Sequence, residues 1–504
     1  FRKARPILRM RAHIPVYKIS LSEQRWIGLW GCTLAVLMAG MWRYFTDASF
    51  WLDEAFVASS LRLPSVETLF SRLEYGQQFP RLYLACIAAL REVGGFQTHI
   101  LRLLPFLCFL AATLLWARLL ALRSARSNFL NVLSGFLLLG ATFWLEQSAQ
   151  LKQYTFDVLL GLLPFWMDDE FWGAGLRNGK KKLWLVGFGL LCASSYTYPL
   201  CLAARVGGWY LVSARRSTWK LDPTALAGLV LSSLGGWWWI WSTDYSFARH
   251  DLQAVTAYWS QSILQVQLAE GAIPAIKLLS RFFWGWYSTK PVILAGLIPL
   301  QICGVYWVVC QWILPNTDLD PGWGTRSCGS LLVLLGLIAA SLWFQYPMSP
   351  GRLTLFTLIH IQIFALEGVT CVQHLVAKAH IRDGFLHVFL FLMAVATTLA
   401  FARFVISEPP ENLRPMLATI RQTPIDTVWV HPCSVAQVQT LPEGLPVRNV
   451  LFGSEEIPRH QRILILWTHT GGGCDRQLDA LRMQSVFWKD LHTGRNRGLA
   501  IAEF

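Results

Sequence analysis

Apolar runs of about 20 residues recur between positions 26 and 406, separated by short polar or basic segments. Each could cross ~30 Å of hydrocarbon as a helix. The pattern predicts about 11 spans, at 26–45, 103–122, 128–146, 150–172, 183–197, 199–214, 223–243, 288–313, 328–346, 353–375 and 385–406. The stretch 47–100 reads differently. "LPSVETLFSRLEYG" is amphipathic, and "FPRLYLACIAALREVGG" is apolar but short and carries Arg81 and Arg91. Both are predicted as helices along the outer interface. If 80–95 crossed instead, the basic "RSARS" loop would fall outside. A second long outer loop is predicted at 244–287.

Past residue 406 the period changes. "IDTVWVHP", "PVRNVLFG", "RILILWTHT" and "GLAIAEF" read as strands. "ENLRPMLATIRQ" and "CDRQLDALRMQSVFWKDLH" read as helices. Segment 407–504 is therefore predicted to be a small α/β domain. Cys433 and Cys474 both lie in it and could pair if it faces an oxidising space.

Composition agrees with a membrane. The chain is 54% hydrophobic and 15% charged, against roughly a quarter charged in soluble proteins. Its 25 tryptophans suit the headgroup zone. The net charge of +14 is gathered in the basic tail 1–25 and in loops such as Arg123 with Arg126, "RNGKKK", Arg215 with Arg216, and Lys378 with Arg382. Under the positive-inside rule these are cytoplasmic, which sets the N-terminus in and the C-terminus out. There is no zinc-finger spacing, Walker loop or basic-aromatic stripe, so the charge marks topology rather than nucleic-acid binding.

With that topology the unusual polar residues collect at one face. Asp53 and Glu54 leave the first span; Arg81 and Arg102 flank the interfacial region; "EQSAQLKQYTFD" (146–157) caps two spans; Arg352 caps another. Ionisable groups near lipid are costly and mark function. A carboxylate can take the proton of an attacking hydroxyl, and cations stabilise a departing phosphate. The set fits glycosyl transfer from a lipid-linked sugar phosphate. Asp157 lies deeper and is expected to pair with Lys152 or an arginine. Gln150, Tyr154 and Asp157 would share a helix face.

These segments resemble the GT-C membrane glycosyltransferases, in the branch of protein O-mannosyltransferases and lipid A aminoarabinose transferases. "FWLDEAFVA" is similar to the acidic motif. "QQFPRLYLACIAALREVGGFQTHILRLLPFL" resembles the Pro-Pro-Leu-Tyr and Leu-Arg-Leu-Pro segments, "SAQLKQYTFDVLLGLL" the Ser-x-Glu-x-Arg/Lys-x-Tyr segment, and "YPMSPGRLTLF" the later outer arginine. The resemblance is close over 26–220 and looser over 221–405. It implies an inverting transfer from a polyprenyl-phosphate sugar to a lipid, glycan or protein acceptor outside a plasma or inner membrane. Asp53 would be the general base, with Glu54 orienting the acceptor. Arg102, Lys152, Arg352 and Arg81 would face the donor phosphate, and Tyr154, Gln150 and Asp157 would shape the site. Two positions depart from the family pattern: Phe79 stands for the first proline, and Gln150 for a glutamate. The second removes a carboxylate, leaving Asp53 and Glu54 as the place for a divalent cation. A lipid or sugar transporter, and a non-catalytic assembly subunit working through 407–504, are the alternatives. Transporters place ionisable groups at midplane in repeated halves, and no repeat is visible here.

Overall fold

The computed structural model describes residues 27–503, apart from 47, 63–71, 75–76, 125–126, 168–178, 216–222, 246–258, 285–290, 314–320, 349–351, 380–383, 408–411, 426, 442–443, 453–456, 458–460, 469–473 and 495–496. The basic tail, most of "LPSVETLFSRLEYG", and the side chains of Cys433 and Cys474 lie outside what is described.

Helices occupy the segments read as spans. Among the described residues, four are long and apolar enough to cross a membrane: Leu103–Ser124, Trp323–Trp343, Leu353–Leu375 and His387–Ile406. A fifth, Asn128–Gly140 with Thr142–Ala149, is bent by 46° where Gly140 meets Ala141. Tyr154–Trp166 is shorter than the expected 150–172, because Gln150 is extended and the next residues turn.

The helices pack through small residues. A Cβ on Gly304 would strike the Phe364 carbonyl, and one on Gly368 that of Leu300. Helix Pro291–Ile313 therefore lies directly on Leu358–Ala379. Close approach through glycine replaces hydrophobic drive where the surroundings are themselves apolar. Other helices carry exposed apolar side chains on their outer faces, as at Leu231, Trp238, Val388 and Phe391.

Between helices Ile27–Phe45 and Leu103–Ser124 lie short ones: Leu52–Ser60, Arg81–Gly94 and Thr98–Leu101. Arg81–Gly94 has 14 residues, too few to span, and buries Arg81, Tyr83, Leu84, Ile87 and Ala88 on one face.

The C-terminal segment forms a five-stranded sheet of order β2-β1-β3-β5-β4, with β1 Thr427–Val430, β2 Asn449–Phe452, β3 Arg462–Thr468, β4 Phe487–Gly494 and β5 Arg497–Glu503. β1 is parallel to β2 and β3; β5 is antiparallel to β3 and β4. Here the sequence expectation needs correction. "CDRQLDALRMQSVFWKDLH" is not one helix: the helix is Cys474–Gln484, and Phe487 onward is strand β4. Pairing along β5 satisfies that backbone, and tertiary context overrides local period.

Candidate active site

The acidic pair opens helix Leu52–Ser60, where the first-turn N–H groups favour negative charge. Its two members have different fates. Glu54 is fully buried. Arg102 donates to it from both Nε (2.9 Å) and Nη2 (2.5 Å), the bidentate geometry of guanidinium on carboxylate. The Trp51 N–H donates to Oε2 at 3.2 Å, half of a capping box. The Leu151 N–H donates to Oε1. Arg102 also donates to the Ala48 (2.5 Å) and Ser49 (3.1 Å) carbonyls, and its guanidinium lies over the Phe50 ring. Glu54 and Arg102 thus clasp three pieces of chain together. Asp53 stays half-buried beside them.

The clasp brings the loop before Tyr154 onto the acidic helix. In that loop Lys152 is 5% exposed and donates from Nζ to Gln77 Oε1 at 2.8 Å. Burial pushes its pKa down to about 7, with the Glu54 carboxylate pulling the other way. The Tyr83 hydroxyl donates to the Lys152 carbonyl at 3.2 Å, and Tyr83 packs against Phe156. The site is roofed by the C-terminal domain. The Ser49 N–H donates to Asn412 Oδ1 (3.0 Å), the Leu413 N–H to Ser49 Oγ (2.7 Å), and Gln437 Nε2 to the Phe50 carbonyl (3.4 Å).

No protein-family model matches the chain, and no curated protein matches it. Among solved structures, ArnT from Cupriavidus metallidurans bound to undecaprenyl phosphate is similar at 11% identity and TM-score 0.46, over 94% of this chain and 98% of that one. A likeness of that size leaves the reading to this chain's own residues.

Other expected residues fall elsewhere. Arg102 is engaged with Glu54 rather than open to a donor. Arg81 faces Asp244, just past helix Pro223–Ile240, at 3.6 Å, with both side chains almost fully buried. Burial pushes Asp244 up to about 7 against the pull of Arg81. Asp157 accepts from Ser195 Oγ at 2.5 Å, not from Lys152 or an arginine. Gln150 is extended, so only Tyr154 and Asp157 share the helical face. Tyr154 is 7% exposed at the start of that helix. Arg352 opens the 3-10 turn Arg352–Thr357, and its side chain lies outside those described.

A divalent cation at Asp53 and Glu54 does not fit this arrangement, because both Glu54 oxygens already accept from Arg102 and backbone N–H groups. Among the described residues, no group of three His, Cys, Asp or Glu could hold a metal. Sequence reasoning missed Gln77, Gln437 and Asn412, which are ordinary polar residues until the fold brings them to the site.

Proposed function

We propose that the chain is a GT-C-type glycosyltransferase that moves a sugar from a polyprenyl phosphate to an acceptor at the outer membrane face. The observation that carries this reading is the clasp of Glu54 by Arg102 and Leu151. It holds a half-buried carboxylate, Asp53, and a buried amine, Lys152, on two elements fixed against each other. In this reading Asp53 takes the proton of the acceptor hydroxyl as its oxygen attacks the anomeric carbon. The bond to the phosphate oxygen breaks and the configuration inverts. Lys152, in its protonated form, and Arg352 stabilise the departing lipid phosphate. Glu54 and Arg102 position Asp53 and the Lys152 loop and take no part in proton transfer. The C-terminal domain, docked at Ser49 and Phe50, guides the acceptor or a protein partner.

The test is transfer of labelled sugar from polyprenyl phosphate in reconstituted membranes. Asp53→Asn is expected to lower the rate by about 10²–10⁴, the usual scale of general-base catalysis, with the thermal transition unchanged. Full activity in Asp53→Asn would remove Asp53 from the mechanism.

A further inference from the structure

Segment 77–83 holds Lys152 at two points. Gln77 Oε1 accepts from the amine at 2.8 Å, and the Tyr83 hydroxyl donates to the Lys152 carbonyl at 3.2 Å. The Tyr83 ring is packed between Phe79 (centroids 5.6 Å apart) and Phe156 (4.8 Å). Between those two points the same segment meets an acid from far along the chain. The Phe79 N–H donates to the Asp244 carboxylate. The Arg81 guanidinium lies 3.6 Å from it. Of residues 77, 79, 81 and 83, the outer two therefore reach Lys152 and the inner two reach Asp244.

The local sequence does not fix this segment by itself. Helix Arg81–Gly94 begins after Pro80, which offers no capping side chain. A negative charge is favoured at such an end, and Asp244 supplies it from the π turn Trp241–Tyr245 that continues helix Pro223–Ile240. Phe79 stands where the family pattern has its first proline, and a proline there would have no N–H to give. The departure at 79 thus provides the donor that Asp244 uses. Asp244 is 3% exposed, so both contacts are made away from water, where they weigh most. The Glu54 carboxylate acts on the Lys152 amine, and the Arg81 guanidinium acts on Asp244. Segment 77–83 is the physical link between the two.

We propose that Asp244 is a positioning residue for the donor-phosphate site: it pins segment 77–83, and that segment sets where the Lys152 amine stands. This rests on the reading above that Lys152 meets the lipid phosphate.

The test uses the full chain in nanodiscs. Competitive acetylation of the Lys152 amine across pH, read by mass spectrometry, gives its midpoint with no donor present. Binding of polyprenyl phosphate is measured on the same samples at pH 6. Wild type should titrate at about 7. Asp244→Ala should let water reach the amine and raise the midpoint to about 8 or above, and polyprenyl phosphate affinity should fall about tenfold, the scale of one lost hydrogen bond. Asp244→Ser, still polar but too short to reach the Phe79 N–H, should act the same way with less risk to folding. Asp244→Asn keeps an acceptor for that N–H and should restore most of the affinity. Glu367→Gln, at the far end of the helices, should lower the thermal transition and leave the midpoint and the affinity of the folded fraction unchanged. An unmoved midpoint in Asp244→Ala and Asp244→Ser, even with a lower thermal transition, would reduce Asp244 to a structural residue and overturn the proposal while the phosphate reading stands. Wild type that binds no polyprenyl phosphate would overturn the phosphate reading, and this role of Asp244 with it, whatever the midpoint does.

Discussion

Helix Leu103–Ser124 has an arginine at each end, and each clasps a buried glutamate. At one end Arg102 holds Glu54. At the other, Arg123 holds Glu367 through Nε (3.1 Å) and Nη2 (3.2 Å) and also donates to Thr370 at 2.6 Å. Ser327 (3.1 Å) and the Trp323 indole N–H donate to Glu367 as well. As ion pairs the two are nearly the same object. Their surroundings differ. The Glu367 clasp joins three long helices and is enclosed by donors that complete it. The Glu54 clasp borders a half-buried acid, a buried lysine held by one amide, and three glutamine oxygens with no partner. A buried ion pair by itself therefore says little about function; the polar groups beside it say more.

The largest expected effect tests the likeness of the two clasps. Arg102→Ala and Arg123→Ala should each destabilise the folded state by about 3–5 kcal/mol, since each strands a buried carboxylate. Thermal or denaturant unfolding in detergent measures this. A surface-like cost below ~1 kcal/mol for either would show that its glutamate is solvated in the folded protein.

A second prediction separates the clasps. Lys152→Met should weaken donor binding by about 10–100-fold, the loss of one hydrogen bond to a charged group, about 1.5–3 kcal/mol. Arg123→Lys, at the far end, should leave donor affinity of the folded fraction as it is. Equal losses in both would mean that the ends are coupled and the contrast is wrong.

A third effect is a pH profile. The buried Lys152 amine has its pKa at about 7 in the free protein, below its ordinary 10.5. Binding of a phosphodiester donor, whose charge is constant in this range, should weaken as pH rises through about 7 and the lysine loses its proton. Lys152→Arg should flatten the profile, because arginine stays charged. Stability runs the other way. Between about 7 and 10.5 the unfolded chain binds the extra proton, so the folded state gains as pH rises across that window. Lys152→Met should remove that slope.

The smallest effect concerns the C-terminal roof. Asn412→Ala and Gln437→Ala each remove one hydrogen bond to the segment before the acidic helix and should cost about 1 kcal/mol or more, Gln437 also losing its bond from Thr468 Oγ1. Hydrogen exchange at Ser49–Ala55 should quicken in both. Unchanged exchange would detach the domain from the site.

Much of the fold was legible from period alone. Apolar runs near 20 residues located the helices, and short apolar, β-branched runs located four of the five described strands. β4 was missed because Phe487–Gly494 follows a true helical pattern without a strong breaker, and only its pairing with β5 makes it extended. At the site, Asp53, Glu54 and Lys152 stood out as charges beside apolar neighbours. Arg102 and Arg81 stood out equally, yet each meets a carboxylate, Glu54 or Asp244, that sequence distance had hidden.

The sequence by itself determined that this is a helical membrane-type chain with charge concentrated at its loops and a small α/β segment at its end. Local hydrophobic period and charge placement are enough for that, because they depend on neighbours along the chain. Only the tertiary structure decided which charges are spent on each other and which stay available. That choice is made across contacts between residues far apart in sequence, such as Arg102 with Glu54 and Gln437 with Phe50. Burial is what gives such contacts their weight, since a charge or amide taken from water must find a partner in the fold or keep a place for one.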